Sequence, residues 1–141
     1  MQLSPHFTFE EMIFSSTAAR MGINNDASLE VVANLKRTAN GLERVRQLFN
    51  NNAIRISSGY RCKALNEAVR GQPNSQHMTG QAVDFTSQYG NPVQLVQLIK
   101  KSGLEYDQLI CEFNQWVHIS FTDEPRRQTL VIDRFGTRNF V

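Results

Sequence analysis

The chain has 141 residues, of which 40% are hydrophobic and 20% charged, a composition typical of a folded domain and not of a disordered segment. No apolar run approaches the ~20 residues that a membrane-spanning helix requires, so we expect no membrane span. The formal net charge is +2, and the basic residues form no stripe interleaved with aromatic side chains, which argues against nucleic acid as a partner. We therefore predict one monomeric domain over residues 1–141.

The N-terminal sequence has neither the basic segment nor the apolar core of a secretory signal peptide. We therefore expect synthesis in the cytoplasm, so that a substrate outside it is reached only after release by another factor. The two cysteines, Cys62 and Cys111, are far apart and lack the spacing of a disulfide scaffold or a redox pair. Both are predicted to be thiols.

Helices are predicted mainly in the first half of the chain. Thr8 and Glu11 have the spacing of a capping box, and Ser28 precedes the longest run of apolar residues at helical spacing. Asn91 followed by Pro92 is a typical helix start. The predicted helical segments are about 9–14, 15–22, 29–49, 63–70 and 92–102.

Strands are predicted from alternating apolar residues, mostly in the second half. They cover about 54–56, 81–86, 107–113, 116–121 and 129–133. Asn114 and Gln115 are expected to form the hairpin turn between the third and fourth of these strands. Because the helices come first and the hairpin strands come late, we predict an α+β fold in which N-terminal helices pack on a central antiparallel sheet.

The segment Ser75–Phe85 places His77 seven residues before Asp84, and His118 follows inside Trp-Val-His-Ile-Ser. Two imidazoles and a carboxylate can hold zinc on three sides and leave the fourth for water or substrate, which is the layout of a catalytic zinc site. A structural zinc site is more often closed by four ligands rich in cysteine. On spacing alone the alternative stays open that these are hydrogen-bonded histidines beside a carboxylate on the sheet.

The string Ser-x-His-x-x-Gly-x-Ala-x-Asp at residues 75–84, with Trp-x-His at residues 116–118, resembles the M15 family of zinc D-Ala-D-Ala carboxypeptidases. It is most similar to the small single-domain members of phage-lysin type and their bacterial counterparts. The match extends to residues 57–61 and 65–66 and so covers roughly residues 8–121. The resemblance implies the hedgehog/DD-peptidase fold, with Zn²⁺ held by His77, Asp84 and His118.

The resemblance also implies roles for side chains around the metal. Arg61 stands where the family has an arginine that binds substrate and polarises its carbonyl or carboxylate, a task suited to a fixed planar fork of donors. Ser75 is expected either to contact substrate and support the site or only to hydrogen bond within its loop. Trp116 is expected either to form a wall of the cleft or to pack in the core.

The general base is predicted to be Glu112. Many family members carry an acidic residue three positions before the last histidine, where this chain has Gln115, which cannot accept a proton from water. Glu112 lies six positions before His118, a spacing similar to that of the hedgehog-like members. If the strands on either side of the hairpin turn pair, Glu112 and His118 lie on the same face.

The implied function is a zinc metallopeptidase that hydrolyses peptidoglycan stem peptides, as a D-Ala-D-Ala carboxypeptidase or an L-Ala-D-Glu endopeptidase. A phage-type cell-wall-degrading enzyme is the expected biological role. Two alternatives stay open at this point: a non-catalytic zinc-containing module that binds the cell wall or a protein, and a tail-associated phage component.

Overall fold

The computed structural model describes residues 1–141 and contains five α-helices, one 3₁₀ turn and eight strands. The helices are α1 (Phe9–Ile13), α2 (Ser16–Met21), α3 (Leu29–Leu48), α4 (Lys63–Ala68) and α5 (Pro92–Ser102), and the 3₁₀ turn spans Gln76–Thr79. The strands are β1 (Gln2–Ser4), β2 (Phe7–Thr8), β3 (Arg55–Ser58), β4 (Ala82–Thr86), β5 (Gln108–Glu112), β6 (Trp116–Ser120), β7 (Gln128–Asp133) and β8 (Gly136–Asn139). None of the helices combines the length and apolar character needed to cross a membrane.

The helices begin where the capping residues predict. The Thr8 hydroxyl accepts from the Glu11 N–H and the Glu11 carboxylate accepts from the Thr8 N–H, so the capping box of α1 is complete. Ser28 caps α3, and Asn91 caps α5 with Pro92 at the first helical position. These predicted starts are confirmed. They could be predicted because a helix cap depends on neighbouring residues alone.

The main sheet has six strands in the order β3-β4-β6-β5-β7-β8, and β1 and β2 form a separate pair. The predicted α+β class is confirmed, but the sheet is mixed, since β5 and β7 run parallel while every other neighbouring pair is antiparallel. The reason is the connection after β6. The chain leaves β6 beside the start of β5 and crosses to the other side of β5, where a strand beginning at that end must run parallel to it.

The two faces of the sheet differ in character because successive strand residues point to opposite sides. One face belongs to the core, together with α3 and α5. It is formed by Val83, Phe85, Leu109, Cys111, Val117 and Ile119. The intervening residues Asp84, Ile110, Glu112 and His118 point to the other face, where they line a cleft. Both cysteines are free thiols, as predicted.

Candidate metal centre and its cleft

Three side chains converge on the face of the sheet that lines the cleft. The register of β4 and β6 sets Asp84 directly opposite His118, and the 3₁₀ turn brings His77 over them. Asp84 Oδ1 lies 3.0 Å from His118 Nδ1 and 3.3 Å from His77 Nε2. One ligand atom from each residue lies within 4.8 Å of the others, and all three residues are buried. Tetrahedral zinc ligands at ~2.1 Å from the ion are roughly 3.4 Å apart, so the donors are close to the required spacing.

The orientation of His77 is fixed by two contacts. Its Nδ1 lies 2.7 Å from the carbonyl oxygen of Gly59, and because a carbonyl can only accept, Nδ1 carries the hydrogen. The Ser75 hydroxyl accepts from the His77 N–H at the start of the 3₁₀ turn, which Gly80 ends at φ 78°. A hydrogen bond from one ring nitrogen to a backbone carbonyl, as between His77 Nδ1 and Gly59, is typical of histidines that ligate metals through the other nitrogen.

The donor set fits a cation. With Nδ1 protonated, His77 Nε2 presents a lone pair to Asp84 Oδ1 at 3.3 Å, and two lone pairs at that distance repel unless a cation lies between them. Burial lowers the pKa of His77, which disfavours a proton in that place. Burial opposes ionisation of Asp84 too, but its contact with His118 Nδ1 holds its pKa well below the ordinary value. Two neutral imidazoles and one carboxylate are ligands that zinc accepts.

Arg61 lies beside this centre with its guanidinium held on several sides. Its Nη2 is 3.7 Å from Asp84 Oδ2, its Nε donates to Ser58 Oγ at 3.3 Å, and its Nη1 donates to Asn66 Oδ1 at 2.9 Å. Its backbone N–H donates to the His77 carbonyl at 3.0 Å. The side chain is therefore positioned before any substrate arrives.

Asn66 is a part of the site to which the sequence analysis gave no role. It is 2% exposed, and its Nδ2 donates to the Gln72 carbonyl, so its oxygen must face Arg61. Gly71 leaves the room for this contact, because a Cβ there would overlap Asn66 Oδ1 and approach Arg61 Nη1. In the sequence, residues 65–66 belong to the segments that resemble the M15 family, which could have indicated a role for Asn66. Their contact with Arg61, however, exists only after α4 folds.

Glu112 and His118 lie on the same face, as the strand pattern predicts. Glu112 pairs with Trp116 across the hairpin, and its Oε1 lies 3.9 Å from His118 Nδ1. Burial, followed by the charge of Asp84, raises the pKa of Glu112 above its ordinary value. Gln115 is exposed in the turn and does not line the cleft. The carboxylate that faces His77, Asp84 and His118 is thus Glu112; its role as base stays a prediction.

The hairpin turn contains the predicted Asn114 and Gln115 but begins one residue earlier, at Phe113. Phe113 and Asn114 have positive φ values of 55° and 49°, and the Gln115 N–H donates to the Glu112 carbonyl at 2.9 Å. The left-handed region is uncommon for a bulky residue, so Phe113 is a strained position directly after Glu112. Its ring lies 5.7 Å from that of Trp116, and both line the cleft. Trp116 therefore lines the cleft, and its role toward substrate stays a prediction.

The cleft has a volume of about 930 Å³ and extends well beyond His77, Asp84 and His118. Ser75 and Arg61 line it near His77, and Trp116 lies at the end where the β5–β6 hairpin turns. The other side is built by the C-terminal strands β7 and β8, which the sequence analysis only partly anticipated. These contribute Leu130, Ile132 and Thr137. A volume of this size suits a peptide rather than a single amino acid.

Comparison with known families agrees with this geometry. A sequence profile of the family described as Peptidase M15 matches residues 5–120, well over half of the chain. A comparison with curated proteins finds no match. The matched region includes the three buried donors, Arg61 and Glu112, whereas β7 and β8 lie beyond it.

Proposed function

The chain belongs to the Peptidase M15 family, and on that basis we propose that it is a zinc-dependent peptidase that hydrolyses peptidoglycan stem peptides. One observation carries the proposal: His77, Asp84 and His118 are buried together with their donor atoms within 4.8 Å. The bond cut is D-Ala–D-Ala, at the end of the stem, or L-Ala–D-Glu, within it.

Zinc, when bound by His77, Asp84 and His118, supplies Lewis-acid activation of a water molecule and of the scissile carbonyl. Glu112 accepts the proton of the attacking water and later delivers it to the leaving amine. Its position supports this role, since its carboxylate is only 19% exposed and faces the same cleft as the ligands. A raised pKa also makes Glu112 a better proton acceptor than an ordinary surface glutamate.

Arg61 stabilises the negative charge that develops on the carbonyl oxygen or anchors a neighbouring substrate carboxylate. The guanidinium is supported by Ser58 and Asn66, so little reorganisation is needed when substrate binds. Ser75 orients the loop that carries His77, and Trp116 forms the wall that shields the reacting groups from water.

The proposed biological role is a monomeric phage-type enzyme that degrades the cell wall after another factor has given it access to the periplasm. The main observation in favour of a non-catalytic zinc module was Gln115 in the place of an acidic residue. Since Gln115 is exposed outside the cleft, it does not favour that alternative.

The proposal is tested by mass spectrometry of the products formed from purified peptidoglycan by zinc-loaded protein, with His118→Ala as the control. Loss of terminal D-Ala identifies a carboxypeptidase, and released stem peptides identify an endopeptidase. Zinc bound in stoichiometric amount with no product formed would refute the proposal in favour of a binding module.

A further inference from the structure

We propose that Arg126 forms a subsite for a substrate carboxylate at the end of the cleft opposite Glu112. This inference deepens the proposed peptidase function and rests on it. Arg126 lies outside the matched residues 5–120, so the family match assigns it no role. The carboxylate that it binds would belong to a peptide side chain or chain end about two residues from the scissile bond.

The guanidinium of Arg126 is held in one orientation by a buried carboxylate. Asp107, 2% exposed, accepts from Arg126 Nε at 3.0 Å and from Nη2 at 2.6 Å, and also from the Arg126 backbone N–H at 3.0 Å. Gln76 donates to the same carboxylate at 2.9 Å, so its position is fixed from a second side. A guanidinium held this way has lost its freedom before the substrate binds, which favours affinity.

The remaining edge of Arg126 is available to a ligand. Nη1 has no hydrogen-bond partner within the protein, and the side chain is 56% exposed where it lines the cleft. Nη1 and the second hydrogen of Nη2 form a fork that matches the two oxygens of a carboxylate. A site with one such pair of N–H donors suits the carboxylate of a peptide.

The strand register gives the distance from the metal ligands. Ile110 lies opposite His118, and along β5 Glu112 is two residues to one side while Gln108 is two residues to the other. Arg126 is at the Gln108 end, since the Gln128 N–H donates to the Asp107 carbonyl in that part of the sheet. Two strand residues span ~7 Å, which is also about two residues of an extended peptide.

The floor between the two ends is apolar. Leu130 lies opposite Ile110, and Ile132 lies opposite Glu112, so all three apolar side chains share the face of the metal ligands. Ile110 and Leu130 are 5% and 9% exposed. An extended peptide with small apolar side chains over this floor would direct a carboxylate to Arg126.

The test compares two stem peptides that differ only in whether a carboxylate two residues from the cleaved bond is free or amidated. We expect wild-type protein to cleave the free acid with a kcat/KM roughly 10- to 100-fold higher, the range for one charged hydrogen-bonded contact. Arg126→Gln is expected to remove this preference by lowering kcat/KM for the acid alone. Arg127→Gln, an adjacent arginine that stacks near Tyr106 outside the cleft, is the matched control and should keep it.

A preference unaffected by Arg126→Gln, or an equal loss on both peptides, would overturn the proposal and leave the Asp107 pair as purely structural. If Arg126→Gln does not fold, Arg126→Lys keeps the charge beside Asp107 but loses the fork, and an unchanged preference for the free acid in this variant would overturn the proposal. Failure of the proposed function is seen separately, as no hydrolysis of either peptide by wild type. In that case the fluorescence of Trp116, the single tryptophan, measures the same preference as a difference in Kd, and equal values would overturn the subsite.

Discussion

Asp107 joins three segments that are distant in sequence. Its carboxylate accepts hydrogen bonds from Arg126, in the connection after β6, and from Gln76, the residue before the proposed ligand His77. Asp107 itself directly precedes β5. We predict that Asp107→Asn destabilises the protein measurably at neutral pH and removes part of its sensitivity to acid.

The magnitude follows from the pKa of Asp107. Hydrogen bonds from Arg126, assisted by Gln76, lower this pKa from 3.8 to about 2 despite the opposing effect of burial. At 1.36 kcal/mol for each tenfold change in proton affinity, this lowering of the pKa corresponds to a stabilisation of the folded protein by roughly 2.4 kcal/mol. Because the Arg126 side chain is 56% exposed, solvent screening reduces the expected contribution to ~1–2 kcal/mol.

The direction of the pH dependence follows from the same values. The folded pKa lies below that of the unfolded chain, so the stabilisation is complete above about pH 4. It is lost as the pH falls from about 4 towards 2, where Asp107 takes up a proton in the folded protein as well. Urea unfolding of wild type and Asp107→Asn at pH 7 and through this acid range measures both quantities.

Asp133 provides the matched control. Hydrogen bonds from Arg138 also lower its pKa to about 2, but the Asp133 side chain is 27% exposed, against 3% for Asp107, and the pair lies on β7 and β8 at the edge of the sheet. Exposed ion pairs contribute little, so Asp133→Asn should leave the free energy of unfolding nearly unchanged. Equal losses of stability in the two variants, or a wild-type slope between pH 4 and 2 in Asp107→Asn, would refute a stabilising role for the Asp107–Arg126 pair.

Two further predictions concern the reaction. Glu112→Gln should lower kcat by about 10²- to 10⁴-fold with zinc content unchanged, because a general base usually contributes that much. Gln115→Glu should have little effect, because residue 115 lies outside the cleft. Equal activities of Glu112→Gln and wild type would exclude Glu112 as base. Gly71→Ala should lower kcat/KM by roughly 10- to 100-fold without loss of zinc, because its Cβ would displace Asn66 and with it Arg61; a fully active variant would contradict the proposed positioning of Arg61.

Local patterns predicted much of this fold because they act over a few residues. The capping box at Thr8–Glu11 and the Asn91–Pro92 start depend only on nearby backbone groups. The shared face of Glu112 and His118 follows from the two-residue period of paired strands. These features of the fold and of the site could be predicted from the sequence.

The parts that the sequence did not predict depend on contacts between distant segments. No local pattern marks the crossing that makes β7 parallel to β5, because the turn chemistry of residues 121–127 does not determine which strand edge the chain joins. The Asp107 carboxylate meets Gln76 and Arg126 only in the folded sheet. The same holds for Asn66, whose contact with Arg61 requires α4 and its following loop.

The most direct measurement is a zinc titration of metal-free protein, with hydrolysis of stem peptide and bound zinc followed together. If the protein is a zinc peptidase, activity rises in proportion to bound zinc and stops at one ion per chain, and Asp84→Asn reduces both the zinc bound and the activity. Hydrolysis that persists in the metal-free protein, or tight zinc binding that does not depend on His77, Asp84 or His118, would contradict the proposed zinc-dependent function.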